Sequence, residues 1–164
     1  MKHSTEPRSR PRPLRAALLV AAAVAVSAAT PARAQTGEFD PGQYFIEGVR
    51  ALCPEVTTIV RNRTDTLIEA PDPYTIVINA GGFSALPPGI RLFIYYQTCA
   101  FMFYREATQA DAMAVGEGVE ALWLSASDVE TMCSTTLLVD AGWTGAPDAA
   151  RCEAIFQAMR GALL

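Results

Sequence analysis

The chain has 164 residues, 13 basic against 17 acidic side chains, and a formal charge of −4 at pH 7 with its single histidine neutral. Apolar residues make up 51 % and charged ones only 18 %, which excludes a mainly disordered chain and predicts one buried core.

A basic stretch with Lys2, Arg8, Arg10, Arg12 and Arg15 opens the chain, followed by the apolar run AALLVAAAVAVSAAT and the small-residue site Ala32-Arg33-Ala34. That is the layout of a secretory signal peptide. The apolar run is short and mostly alanine, too weak for a comfortable membrane span. Cleavage after Ala34 is therefore expected, with an uncleaved anchor as the alternative. Residues 35–164 then form one domain of 130 residues (164 − 34), periplasmic or secreted, with no stable membrane insertion.

Loss of the leader changes the chemistry. The remainder has seven arginines, no lysine and sixteen acids, a formal charge of −9 (7 − 16), and His3 leaves with the leader. Nucleic-acid binding by phosphate neutralisation has no basic stripe to use, and anionic membranes repel such a surface. Without histidine, Ser-His-Asp and Cys-His triads and His-based metal sites are excluded.

In chain order, Gln35 to Phe39 read as a frayed start. DPGQYFIEGVRALCPE reads as a helix, capped by Asp40, with Tyr44, Phe45, Val49 and Leu52 at helical spacing and Pro54 as its stop. VTTIVRN, DTLIEA and YTIVINA are strand-like, with APDP as the turn between the last two, and AGGF and LPPG punctuate the path to the next element. Pro88 and Gly89 open a long helix to about Arg105. Thr108 caps a second, QADAMAVGEGVEALWL. SASDVETMCSTTLLVD is a third, with a capping-box-like start at Ser125 and Asp128. GWTGAP is a loop, and Asp148 caps the last helix, DAARCEAIFQAMRGALL. The predicted class is α+β: an N-terminal helix, a small sheet of two or three strands, then about four helices.

Cys53, Cys99, Cys133 and Cys152 make an even count in an exported chain, and no pair has C-x2-4-C spacing, so disulfides are favoured over zinc ligation. Cys133 and Cys152 sit on neighbouring predicted helices and form the preferred bridge. Cys53–Cys99 follows by elimination. Asn62 heads an N-R-T sequon, which carries little weight behind a leader of bacterial layout.

The run FIYYQTCAFMFY places Gln97 and Phe101 one helical turn apart, with Thr98 beside the first. That is the geometry of H-E-x-x-H, in which two histidines bind zinc and the glutamate activates water. From composition alone, an ordinary buried helix whose Gln97 and Thr98 hydrogen-bond inside the core is the simpler account. The acids Glu117 and Glu120 share a helix face and read as a solvated surface.

The segment from Ile76 to Cys133 resembles a small group of secreted bacterial zinc-metallopeptidase-like domains. Asn79, Leu86-Pro87, Phe93, Cys99, Ala110-Asp111, Ala114, Gly118, Trp123-Leu124 and Cys133 fall in step with that family. Pro147 and Arg151 resemble its later HP-x-G-x-x-R-C segment, and the similarity runs from about Cys53 to Arg160. The resemblance implies a minimal zincin-like fold, with zinc ligands at positions held here by Gln97, Phe101 and Ala107, four residues before Asp111. It puts the general base at Thr98. Glu106 is one step out of register and Gln109 is neutral. An amide binds zinc weakly, phenylalanine cannot bind it, and a threonine hydroxyl is no base at neutral pH. The family often has a cysteine where this chain has Ala112, which frees Cys99 for Cys53.

The implied protein is a non-catalytic, metallopeptidase-like pseudoenzyme with no cofactor and no metal, acting in the cell envelope as a binding or structural module with a protein or peptide partner. Phe101, Met102 and Phe103 are expected to fill the emptied metal cavity. Aromatic residues beyond the needs of one buried face (Phe93, Tyr95, Tyr96, Phe101, Phe103, Tyr104) either line a partner groove or pack on the sheet and C-terminal helices. Two other readings stand beside it: a carboxylate-dependent hydrolase using Glu106, Asp111 or Glu117, and an accessory subunit of an envelope complex.

Overall fold

A four-stranded sheet is built from β1 (Gly37–Phe39), β4 (Thr57–Arg61), β5 (Ile68–Asp72) and β6 (Thr75–Asn79), in the order β1-β4-β6-β5, with β-branched runs in its two central strands, β4 and β6. The computed structural model describes residues 36–62 and 65–164, which fall in one compact unit, Arg33–Leu164. The expected leader, its cleavage site, His3 and two of the three sequon residues lie outside the described residues. β4 runs parallel to β6, with Val60 opposite Ile78, while β1 and β5 pair antiparallel at the two edges. Ile76, Val77 and Ile78 are all buried, as expected for a central strand covered on both faces.

Three expectations about this half need correction. The predicted frayed start is an edge strand, Phe39 pairing with Thr58. The predicted turn APDP is mostly strand: β5 continues to Asp72, and Pro73-Tyr74 turn the chain, with Tyr74 N donating to Asp72 Oδ1 at 2.8 Å. The predicted helix after Asp40 is instead a two-stranded hairpin, β2 (Phe45–Ile46) with β3 (Val49–Arg50). Its loop, Glu47-Gly48, has both residues at positive φ (48° and 83°), the signature of the type I′ turn that suits hairpin twist. Tyr44 and Ile46 are buried and Phe45 is exposed, so the operative period is two, not 3.6. Arg91 Nη2 donates to Glu47 Oε1 at 2.7 Å, fastening the hairpin tip to the helical half.

Six helices follow the sheet: α1 (Ala80–Ser84), α2 (Pro88–Tyr104), α3 (Ala107–Glu120), α4 (Ala126–Ser134), α5 (Leu137–Asp140) and α6 (Ala149–Ala162). AGGF is thus a short helix, where the Asn79 side chain accepts from Gly82 N. The expected caps at Ser125 and Asp148 are present, the first as a full capping box with Asp128. α3 starts two residues before the expected one, because Glu106 accepts from Thr108 N and Gln109 N in place of a Thr108 cap. The expected single helix through Asp140 breaks at Thr135, which is extended; its hydroxyl accepts from Leu137 N and starts α5 afresh.

α3 ends in a Schellman turn. Trp123 N donates to Gly118 O and Leu122 N to Val119 O, with Leu122 in the left-handed region at φ 60°. A leucine there costs about 1–2 kcal/mol, while glycine would add about 0.4–1 kcal/mol of chain entropy to the unfolded state. Leu122 is 90 % exposed and loses no burial on replacement. Leu122→Gly should therefore stabilise the fold by roughly 0.5–1 kcal/mol, read as a higher urea midpoint at unchanged slope.

The core aromatics form a connected series. Tyr44 packs on Tyr95, Tyr95 on Tyr96, and Tyr96 stacks on Trp123 with ring centroids 5.3 Å apart. Tyr95 OH shares a 2.9 Å hydrogen bond with the buried Thr58 hydroxyl. Burial pushes the Tyr44 phenol up to about 12, and raises Tyr95 and Tyr96 from their ordinary value of 10.0 for the same reason. A phenol whose folded value exceeds its unfolded one supports the fold fully below the unfolded value and loses that support as pH climbs towards the folded one. Stability measured by urea melts should hold steady up to about pH 10 and decline between pH 10 and 12, and Tyr44→Phe should flatten that decline.

Candidate functional site at the α2–α3 helix pair

α2 and α3 form an αα-hairpin with only Arg105 and Glu106 between them, and they make the most extensive pairing of any two elements. Arg105 turns the chain in the left-handed region at φ 58°, its N–H donating to Phe101 O. Positions 97 and 101 form a stripe one turn long on α2, and positions 107 and 111 lie one turn apart on α3.

Burial changes sharply along that stripe. Gln97 is buried at 6 % exposure, Thr98 is half-buried, and Phe101 is 40 % exposed. Ala107 is half-buried and Asp111 is buried at 2 %. Among the described residues, neither Gln97 nor Thr98 makes a side-chain hydrogen bond, so the account in which both are satisfied inside the core finds no partner for them. Among the described residues, the fully buried side-chain polar atoms without a partner are Arg91 Nε and Trp123 Nε1.

The expectation that three residues fill an emptied cavity is corrected in part. Met102 is buried, but Phe101 and Phe103 stand 40 % and 56 % exposed, with Tyr104 beside them. Cover over α2 falls away at its last turn, and the aromatic surplus there faces water. Phe93, Tyr95 and Tyr96 do pack inward, Phe93 edge-on to Trp143.

Asp111 has a different occupation. Arg151 Nε and Nη2 donate to its two carboxylate oxygens at 2.6 Å each, a bidentate pair joining α3 to α6. Arg151 Nη1 donates to Gly145 O, and the guanidinium lies 5.6 Å from the Trp143 ring centroid. A Cβ at Gly145 would come within 2.9 Å of that ring, so the loop before α6 closes on the pair only with glycine there. Asp111 and Arg151 were each legible in sequence, but their pairing was not. The available signal was an acid on the stripe Ala110, Ala114, Val115 and Gly118, all buried, where a charge requires a partner.

Glu106 and Glu117 lie at the surface. Glu106 is an exposed helix cap whose pKa is lowered by the hydrogen bonds from Gln109 N and Thr108 N, making it a weak base. Glu117 is exposed on α3. Among the described residues, no group of three His, Cys, Asp or Glu side chains is placed to hold a metal ion.

Both disulfides join the expected pairs. Cys53–Cys99 ties the segment after the hairpin to the middle of α2, and Cys133–Cys152 ties α4 to α6; the Cα atoms are 5.8 Å apart in each. Tyr96 OH reinforces the first strap by accepting from Leu52 N and donating to Arg50 O. No helix of the described residues is long and apolar enough to cross a membrane. Paired cysteines suit an oxidising compartment. Comparisons with known protein families, curated proteins and solved structures found no match for this chain.

Proposed function

We propose that this chain is an exported, non-catalytic protein that acts by binding, on a helix pair of metallopeptidase-like pattern whose metal and base positions have been replaced. The observation that carries the reading is the character of those positions on α2 and α3. Gln97 offers only an amide, Phe101 a ring turned partly to water, Ala107 a methyl group, and the nearest buried acid, Asp111, is committed to Arg151. Thr98 cannot take a proton from water at neutral pH. The same commitment removes Asp111 as a hydrolytic carboxylate, since a bidentate arginine occupies both its oxygens. The two disulfides fit residence in the periplasm or outside the cell.

The test is an assay of the protein recovered from the periplasmic fraction against a broad panel of unfolded protein and peptide substrates, with and without added zinc. No hydrolysis above buffer is expected in either case. Zinc-dependent, chelator-sensitive cleavage that tracks the protein through purification would overturn the reading.

A further inference from the structure

The two disulfides differ in their surroundings. Cys53, Cys99 and Cys152 are buried, whereas Cys133 is only half-buried. Ser134, Thr135 and Thr136 follow Cys133 at the surface, and Asp148, Ala149 and Ala150 precede Cys152 there. These short, exposed residues leave an approach to the Cys133–Cys152 bridge. Around Cys53–Cys99 the neighbours Ala51 and Ala100 are buried, and Tyr96 OH holds Leu52 beside the bridge. In thiol–disulfide exchange exposed bridges are the labile ones and enclosed ones resist.

The exposed bridge is also polarised. Cys133 is the next-to-last residue of α4, where a helix carries partial negative charge, and the exposed Glu130 lies one turn before it. Cys152 is the fourth residue of α6, close to that helix's positive end. The Asp148 cap, accepting from Arg151 N, offsets part of that field, and the Arg151 guanidinium is held by Asp111. Glu153, next to Cys152, is paired with Arg160 at 3.1 Å. Negative charge is therefore better tolerated on the Cys152 sulfur than on that of Cys133. The more accessible cysteine is the one a nucleophile reaches, and the better-stabilised thiolate is the one that leaves.

The bridge spans 19 residues that include α5 and the loop before α6. Leu138 and Trp143 anchor that segment in the core, Gly142 O accepts from Leu67 N, and Gly145 O accepts from Arg151 Nη1. These contacts keep the segment in place when the bridge opens, with less restraint at its ends. The Trp143 ring over the Arg151 guanidinium is part of what loosens.

We infer that Cys133–Cys152 is a thiol–disulfide exchange site for a dithiol reductant, and that its opening loosens the α5 segment while Cys53–Cys99 holds the rest of the fold. A thiolate of the dithiol attacks Cys133 Sγ, the bond between the two cysteine sulfurs breaks, and its electron pair leaves on Cys152 Sγ. The second thiolate of the reductant then attacks the reductant's own sulfur in the mixed disulfide and frees Cys133. Two electrons and two protons pass from the dithiol to the two cysteines, and the dithiol ends as a disulfide. This goes beyond the reading of the chain as a binding module and does not depend on it.

The experiment exposes the folded protein to graded dithiothreitol, alkylates free thiols and locates them by peptide mass spectrometry. Cys133 and Cys152 should open together at a reductant concentration about tenfold below that needed for Cys53 and Cys99. With the monothiol 2-mercaptoethanol, the trapped adduct should sit on Cys133 with Cys152 free. After selective opening, amide exchange should quicken between Thr136 and Pro147 while α2 stays protected. The inference is overturned by resistance of both bridges, by Cys53–Cys99 opening first or in step, by an adduct on Cys152, or by unchanged exchange in the segment. Zinc-dependent hydrolysis would instead defeat the non-catalytic reading and leave this order of reduction as it is.

Discussion

Asp111→Ala should lower stability by about 3–5 kcal/mol, because it leaves the Arg151 guanidinium facing a void where its carboxylate stood. The Asp111 side chain is 3 % exposed and that of Arg151 18 %, so solvent can relieve little of the uncompensated charge. The expected fall in melting temperature is roughly 10 °C or more for a domain of this size. Arg151→Ala should cost a similar amount, since it buries an unpaired carboxylate and also removes the cover over Trp143 and the donor to Gly145 O. Arg151→Lys should rescue little, because an ammonium cannot reproduce two parallel donors in a plane. Replacing both partners with apolar residues of similar volume should be far milder than either single change, within about 1–2 kcal/mol of the parent. Urea melts of these variants measure this directly. Single-site losses below about 1 kcal/mol would mean that the pair behaves as a surface salt bridge.

The second large effect concerns the Cys53–Cys99 strap. Its partners are 46 residues apart in sequence, against 19 for Cys133–Cys152. Loop-closure entropy assigns about 4 kcal/mol to the first and about 3 kcal/mol to the second. The longer bridge also cross-links the sheet-and-hairpin half to α2, where Cys53 is buried at 1 % and Cys99 at 6 %. Cys53→Ala with Cys99→Ala should therefore cost more than Cys133→Ala with Cys152→Ala. It should also loosen the Leu52–Tyr96–Arg50 hydrogen bonds next to it, visible as faster amide exchange at Leu52. Equal losses for the two double variants would show that the bridges act through the native state and not through the unfolded chain.

Much of the helical half was legible because its signals are local. Ser125 with Asp128, Asp148 with Arg151 N, and Pro88 at the first helical position each declare a start within four residues. The N-terminal error has an equally local cause. Tyr44, Phe45, Val49 and Leu52 match a helical face as well as Tyr44 and Ile46 match a strand, and the decisive feature is Glu47-Gly48 at positive φ. E-G is a weaker hairpin signal than N-G or D-G, so the apolar spacing alone points to a helix. β1 escaped because three residues of edge strand gain their stability from β4, not from their own composition.

The site divides in the same way. Which positions of α2 and α3 bear Gln97, Thr98, Phe101, Ala107 and Asp111 is a matter of helical spacing: the first three fall on α2 and the last two on α3. What spacing could not supply is burial: Phe101 and Phe103 reach solvent because cover ends at the last turn of α2, a property of the whole fold. The Asp111–Arg151 pair, 40 residues apart, likewise depends on how α6 returns across α3. The strain at Leu122 has no sequence signature either, since leucine at the end of a helix is ordinary until its φ is known.

On the proposed reading, the chain holds no metal because four side chains on one helix pair have been replaced. The most direct measurement is zinc per chain, by elemental analysis, for the parent and for a variant carrying Gln97→His, Thr98→Glu, Phe101→His and Ala107→Glu, both equilibrated with zinc and desalted. The parent should retain far less than one equivalent, and the variant about one, the stoichiometry of a three-ligand site with one open position. A parent that holds a full equivalent, or a folded variant that holds no more zinc than the parent, would contradict the account.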